Sequence, residues 1–149
     1  MVRFILAIIV LAVGLAAAAD PAPAPKLVSI TDKAVLLRDP IYFDTGKATI
    51  KKESFAELDA LAAALNADKH VTLVEIGVHT DERGDLEFNA RISQERADAV
   101  MKYLIDRQVD PKRLRSKGYG ESKPLDKGHN EQAWAKNRRT EILVLQRIN

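Results

Sequence analysis

Residues 71–97 read Val71-Thr72-Leu73-Val74-Glu75-Ile76-Gly77-Val78, then His79-Thr80-Asp81-Glu82-Arg83-Gly84-Asp85-Leu86-Glu87, then Phe88-Asn89-Ala90-Arg91-Ile92-Ser93-Gln94-Glu95-Arg96-Ala97. The first segment alternates and is rich in β-branched residues, which predicts a strand with Val74, Ile76 and Val78 on one face and Val71 and Leu73 splayed at its start. The third segment continues to Arg107 with apolar residues three and four apart, which predicts a helix over 88–107. The period changes from two to 3.6 across one polar loop, so the stretch is a strand–loop–helix unit.

The same reading extends outward in both directions. Downstream, 113–119 reads as a short strand ending near Gly118-Tyr119-Gly120, 131–136 as a short helix and 141–145 (EILVL) as a last strand. Upstream, Phe55, Leu58, Leu61, Ala62 and Leu65 recur at helical spacing within 51–67. Ile41-Tyr42-Phe43 reads as a strand that ends in the turn residues Asp44-Thr45-Gly46. Two short apolar runs around Thr31-Asp32-Lys33 make a hairpin within 27–40. The order βαβαβ(α)β predicts an α/β (α+β) sandwich, its helices packed on one side of a mixed four-stranded sheet, with the hairpin as an N-terminal extension.

The N-terminus carries a different signal. Met1-Val2-Arg3 is a short basic start, Phe4 to Leu15 is apolar, and Ala17-Ala18-Ala19 precedes Asp20. This is the pattern of a secretory signal peptide over residues 1–19; the alternative is an uncleaved anchor, for which the run is short. Residues 20–26 form a spacer in which Pro21-Ala22-Pro23-Ala24-Pro25 alternate and cannot be helical. The domain proper is then 41–149. The 149 residues carry a formal net charge of +2 and no cysteine. Disulfides, thiol chemistry, Cys-held metals and an N-terminal lipid cysteine are thereby excluded, and nucleic acid is not an expected partner without a basic stripe.

Candidate chemistry lies on the second helix. With Asn89 at zero and 100° per residue, Ser93 falls at about 40°, Arg96 at about −20° and Val100 at about 20°. One face is therefore polar in its first turns and apolar afterwards. A guanidinium on such a face needs a partner or water. Asp81 sits in the loop that leads to the helix start, beside the positive end of its dipole. Two readings stay open. Asp81 and Arg96 could grip a zwitterion, the carboxylate taking an ammonium and the guanidinium a carboxylate. They could equally pair with each other and staple loop to helix.

Five segments in order resemble the OmpA-like domain shared by porin tails, peptidoglycan-associated lipoproteins and flagellar stator subunits. They are Tyr42-Phe43-Asp44; His79-Thr80-Asp81-x-x-Gly84; Asn89-x-x-Ile92-Ser93-x-x-Arg96-Ala97; Gly118-x-Gly120-Glu121-x-x-Pro124; and Asn137-Arg138-Arg139. The run Asp81-Glu82-Arg83-Gly84 is most similar to the lipoprotein branch. The resemblance implies non-covalent binding of peptidoglycan through the diaminopimelate of its stem peptide, linking envelope to wall. It also implies a periplasmic, wall-associated place, other envelope proteins as further partners, and neither cofactor nor metal. It places the key pair on Asp81 and Arg96, a strand-end loop on Phe43, Asp44 and Thr45, pocket walls on Asn89 and Ile92, and a basic rim residue on Arg138. Asn89 is equally a candidate helix cap or loop brace. The sequence departs from the family at Val78, Thr45-Gly46, Trp134 and Thr140, with Trp134 read as a core plug in preference to a rim contact.

Enzymes are the first rival. His70, His79 and His129 have no metal-ligand spacing, and no GxSxG or SxxK setting surrounds a serine. His79 reads as a loop brace. A scaffold subunit of an envelope complex and a stator-like, membrane-anchored wall-binding protein are the remaining alternatives.

Overall fold

In a computed structural model, residues 27–148 are described. The signal peptide and Pro/Ala spacer expected at 1–26 lie outside the described residues. Strand β1 (Val28–Ile30) and β2 (Ala34–Leu37) form the hairpin. A 3-10 turn at Lys52–Ser54 leads into α1 (Phe55–Ala67), followed by β3 (Val71–His79) and α2 (Leu86–Asp106). The remaining elements are β4 (Leu114–Gly120), α3 (Glu131–Asn137) and β5 (Arg139–Arg147). Among the described residues, no helix is long and apolar enough to cross a membrane.

The strands form one five-stranded mixed sheet in the order β1-β2-β5-β3-β4. The sandwich is as the periodicity predicts, with two changes in the sheet. The hairpin is not an appendage: β2 pairs with β5 at Ala34 opposite Leu143 and Val35 opposite Ile142, and Val35 enters the core. Residues 41–43 are not a strand. Phe43 makes one isolated bridge to Ile50, and this segment curls into a loop. The parallel pair β3–β4 is joined through α2, as a parallel connection requires.

The core lies between α1, α2 and one face of the sheet. Leu58, Leu61, Ala62 and Leu65 of α1 meet Ala97, Val100 and Leu104 of α2 over Val74, Ile76, Val78 and Ile142. Each large aliphatic side chain buried there is worth roughly 1.5–3 kcal/mol. Val71 also points into the core, because register irregularities between Val71 and Val74 restore its side. Phe55 instead stands at the surface against Tyr103, with ring centroids 5.4 Å apart.

Two contacts set how close the layers come. Gly118 packs under α2 so tightly that a Cβ there would lie 2.2 Å from the Gln94 main-chain nitrogen. Any side chain would push helix and sheet apart. Glu57, buried on α1, accepts hydrogen bonds from the main-chain N–H groups of Arg38 (2.5 Å) and Asp39 (3.1 Å). It thereby fixes the chain where the hairpin turns toward the 40–46 loop, satisfying donors that burial would otherwise orphan.

Candidate functional site

Three segments converge beyond the C-terminal end of β3: the loop after it, the 40–46 loop, and the α3–β5 junction. Gly84, with φ of 102°, lets the loop after β3 turn into α2. Asp85 caps α2, its carboxylate accepting from the Phe88 N–H at 2.9 Å. Asn89 is therefore the brace and not the cap. Its amide donates toward the main-chain oxygens of Asp81 (3.3 Å) and Arg83 (3.2 Å) and to the Glu121 carboxylate (2.8 Å). Ser93 donates to Ala90 O and accepts from the Gly120 N–H, both at 2.9 Å. So Asn89 and Ser93 fasten the ends of β3 and β4 to the helix.

Arg96 behaves differently. Its Nε donates to the Lys47 carbonyl at 2.9 Å, and Nη2 lies 3.5 Å from the Asp44 carbonyl. The guanidinium rests 5.0 Å over the Phe43 ring. Partial burial pulls its pKa below the usual arginine value. Among the described residues no carboxylate pairs with it. The staple between Asp81 and Arg96 is thus not formed.

Asp81 is held by two other arginines. Its Oδ1 accepts from the Arg83 main-chain N–H (2.9 Å) and Nε (3.2 Å). Its Oδ2 accepts from Arg83 Nη2 and Arg138 Nη1, both at 2.8 Å. Burial opposes the charge on Asp81, but the hydrogen bonds from Arg83 and Arg138 outweigh it and bring the carboxyl down to about 2. Glu131 supports both arginines, 2.7 Å from Arg138 Nη2 and 3.5 Å from Arg83 Nη1.

Trp134 is a surface bracket of this loop, not a core plug. Arg83 lies 4.3 Å over its ring, and its Nε1 donates to Glu82 at 2.9 Å. The reason is positional: the buried side of the short α3 is filled by Ala133 and Asn137, which leaves Trp134 facing the loop. His79, expected to brace the loop, is buried but makes no hydrogen bond to it. Its ring stacks on Tyr119 at 4.8 Å, and Nε2 lies 3.3 Å from Glu141 without hydrogen-bond geometry. Burial, and then the nearby Arg139, lower its pKa.

A cavity of about 470 Å³ opens between these segments, its walls including Phe43, Thr45, His79, Arg96, Arg138 and Arg139. Among the described residues no acidic side chain lines it. Of the residues singled out in the sequence, Phe43, Thr45, Arg96 and Arg138 line this space. Asp44 contributes its carbonyl to Arg96, Ile92 is buried in α2, and Asn89 braces the loop. Asp81 stands directly behind the wall, joined to it through Arg138. Arg83 and Arg139, seen only as motif members, and Glu131, seen only as a helix start, had no site role assigned from the sequence. The spacing of Glu131, at the start of α3, and Arg138, seven residues on and just past its end, is the one signal that pairs them with each other. Among the described residues no group of three His, Asp or Glu is placed to hold a metal ion.

A preformed cationic cavity with a screened carboxylate behind it, carried on the rim of a helix-backed sheet, defines a small ligand-binding domain. Comparison with known proteins gives its family. The model of the OmpA family matches residues 42–138, and the chain belongs to that family. It is 46% identical over 99 residues to the peptidoglycan-associated lipoprotein of Haemophilus influenzae, covering 66% of this chain and 64% of that protein. The crystal structure of the peptidoglycan-associated lipoprotein from Burkholderia pseudomallei superposes with a TM-score of 0.62 at 32% identity, covering 71% of this chain and 89% of that one. The cell wall anchor of the type VI secretion system from Pseudomonas aeruginosa gives 0.66 at 27% identity, over 80% and 88% of the two chains. Matches to four curated lipoproteins of this type span 60% to 67% of their lengths.

Proposed function

We propose that the chain binds cell-wall peptidoglycan without covalent chemistry, by gripping the diaminopimelate of the stem peptide and so linking the envelope to the wall. The observation that carries this reading is Arg96: a partly buried guanidinium on a cavity wall, satisfied by two carbonyls and with no acidic partner among the described residues. Such a group keeps its charge available for a ligand carboxylate to complete. Arg138 and Arg139 add positive charge on the same walls. Asp81 supplies the complementary charge for the ligand's ammonium. Arg83, about half exposed, is the partner it exchanges for that ammonium, and Glu131 and the Trp134 ring keep the displaced guanidinium nearby. The names of the relatives, a wall anchor and peptidoglycan-associated lipoproteins, support the same ligand.

The role is binding, not catalysis. The N-terminal pattern supports export across the inner membrane and a periplasmic, wall-associated place. Co-sedimentation with diaminopimelate-type peptidoglycan tests the reading. The parent should sediment with wall, free diaminopimelate should release it, and Asp81→Asn should abolish sedimentation while keeping the fold. An Asp81→Asn variant that sediments like the parent would refute the grip, and clearing of the wall by purified protein would refute the non-enzymatic role.

A further inference from the structure

The cavity beside Arg96 does not end at its own walls. A second groove of about 500 Å³ continues from it over β2 and β5, and the two share Pro40, Ala135, Arg138, Arg139 and Thr140. The main chain of β5 has a free stretch at this junction. β2 pairs with β5 as far as Val35 opposite Ile142, and no described strand continues the pairing toward Thr140. The Val144 N–H points to the β2 side, where it donates to Lys33 O at 2.9 Å. Peptide groups alternate along a strand, so Ile142 and Thr140 present theirs to the same side. Ile142 meets Val35 there. Among the described residues no strand pairs with Thr140 on that side, and Thr140 lines the floor that the two cavities share.

We infer that Thr140 is a peptide-backbone subsite: one main-chain unit of an extended, acidic peptide adds to β5 there while a neighbouring side chain of that peptide fills the Arg96 cavity. This rests on the wall-binding reading above. An unpaired edge in a groove binds extended chain by main-chain hydrogen bonds, with pockets reading alternate side chains. The groove suits the rest of such a ligand. Leu36 is 56% exposed on its wall, and four cations (Arg38, Lys136, Arg138, Arg139) face two carboxylates (Asp39, Glu141) around it. A second copy of the chain is the other occupant an open edge invites.

Calorimetry with two probes separates the possibilities: free diaminopimelate, which fits the Arg96 cavity alone, and the tripeptide alanyl-γ-glutamyl-diaminopimelate, which also reaches the edge. The parent should bind the tripeptide about tenfold more tightly. Thr140→Pro removes an N–H that points away from β3, along with the threonine hydroxyl, at a position where proline is tolerated in a strand. It should remove the tripeptide's advantage over free diaminopimelate, with both affinities measured on the same variant. Leu36→Glu sets a carboxylate in the groove from an exposed position and should do the same even where the proline variant fails to fold. A parent without preference for the tripeptide overturns the subsite. So do variants that keep the preference, and so does a dimer that Thr140→Pro disperses without changing either affinity. A parent that binds neither probe refutes the wall-binding reading itself, and the subsite with it.

Discussion

Arg96→Gln separates a binding residue from a structural one more sharply than any other change in the molecule. In the folded chain the guanidinium gains one good hydrogen bond, to Lys47 O at 2.9 Å, a marginal one to Asp44 O at 3.5 Å, and the Phe43 ring. A hydrogen bond from a charged donor is worth about 1.5–3 kcal/mol. Against it stands the desolvation of a charge without an acidic partner, which costs several kcal/mol when burial is complete and less at this half-buried position. The two nearly cancel. Glutamine removes both while keeping an amide in reach of the loop, so stability should change by no more than about 1 kcal/mol, or roughly 5 °C in melting temperature. Binding responds differently. Deleting one side of a desolvated guanidinium–carboxylate contact typically costs about 2–5 kcal/mol, a loss of roughly 30-fold to several thousand-fold in affinity. Calorimetry against free diaminopimelate and thermal melts on the same preparations check both halves. The reasoning is refuted if the variant binds within a few-fold of the parent. It is equally refuted if melting drops by more than about 10 °C, because Arg96 would then be holding the 40–46 loop in place.

Three further outcomes are expected. Arg83→Gln should bind diaminopimelate a few-fold more tightly, because a half-exposed competitor for Asp81 is gone; Arg138→Gln should bind less tightly, since Arg138 lines the cavity, and parallel titrations distinguish the two. Gly118→Ala should destabilise by about 3 kcal/mol or more in chemical denaturation, because its Cβ would meet α2 main chain at 2.2 Å. Asp81, with its carboxyl at about 2 when folded, lies below its ordinary value of 3.8. Its contribution to stability is therefore fully present above about pH 4 and is lost as pH falls toward about 2. Asp81→Asn should remove that part of the acid limb from a pH series of melting temperatures.

The wall-facing half of the site could be read from local sequence, and the rest depended on distance along the chain. The strand–loop–helix unit at 71–107 announces itself because both of its periods are local. The helix count also picked out a face with Asn89, Ser93 and Arg96 in the wrong company. Periodicity could not divide that face. Asn89 and Ser93 prove to be satisfied by main-chain atoms of Asp81, Arg83, Ala90 and Gly120 and by the Glu121 carboxylate, whereas Arg96 reaches across to the carbonyls of Asp44 and Lys47. The 40–46 loop misled for the opposite reason. Ile41-Tyr42-Phe43 has the composition of a strand, but the β5 edge beside it is left open at Thr140 and Phe43 finds one bridge partner, Ile50. β-propensity reports a fit to a pleated surface and cannot say whether a neighbour is there. The partners of Asp81 follow the same division: Arg83 lies two residues away, inside the motif, and Arg138 lies 57 away in sequence, just before the neighbouring strand β5. A motif of Asp and Arg therefore indicates that charges are paired without indicating which. That distinction decides the mechanism, because a carboxylate already holding two guanidiniums can accept an ammonium by exchange alone, whereas Arg96, held by carbonyls, can take a carboxylate by simple addition. On the proposed grip, the two ends of a zwitterion should meet different barriers, with the ligand carboxylate engaging Arg96 before the ammonium displaces a guanidinium from Asp81.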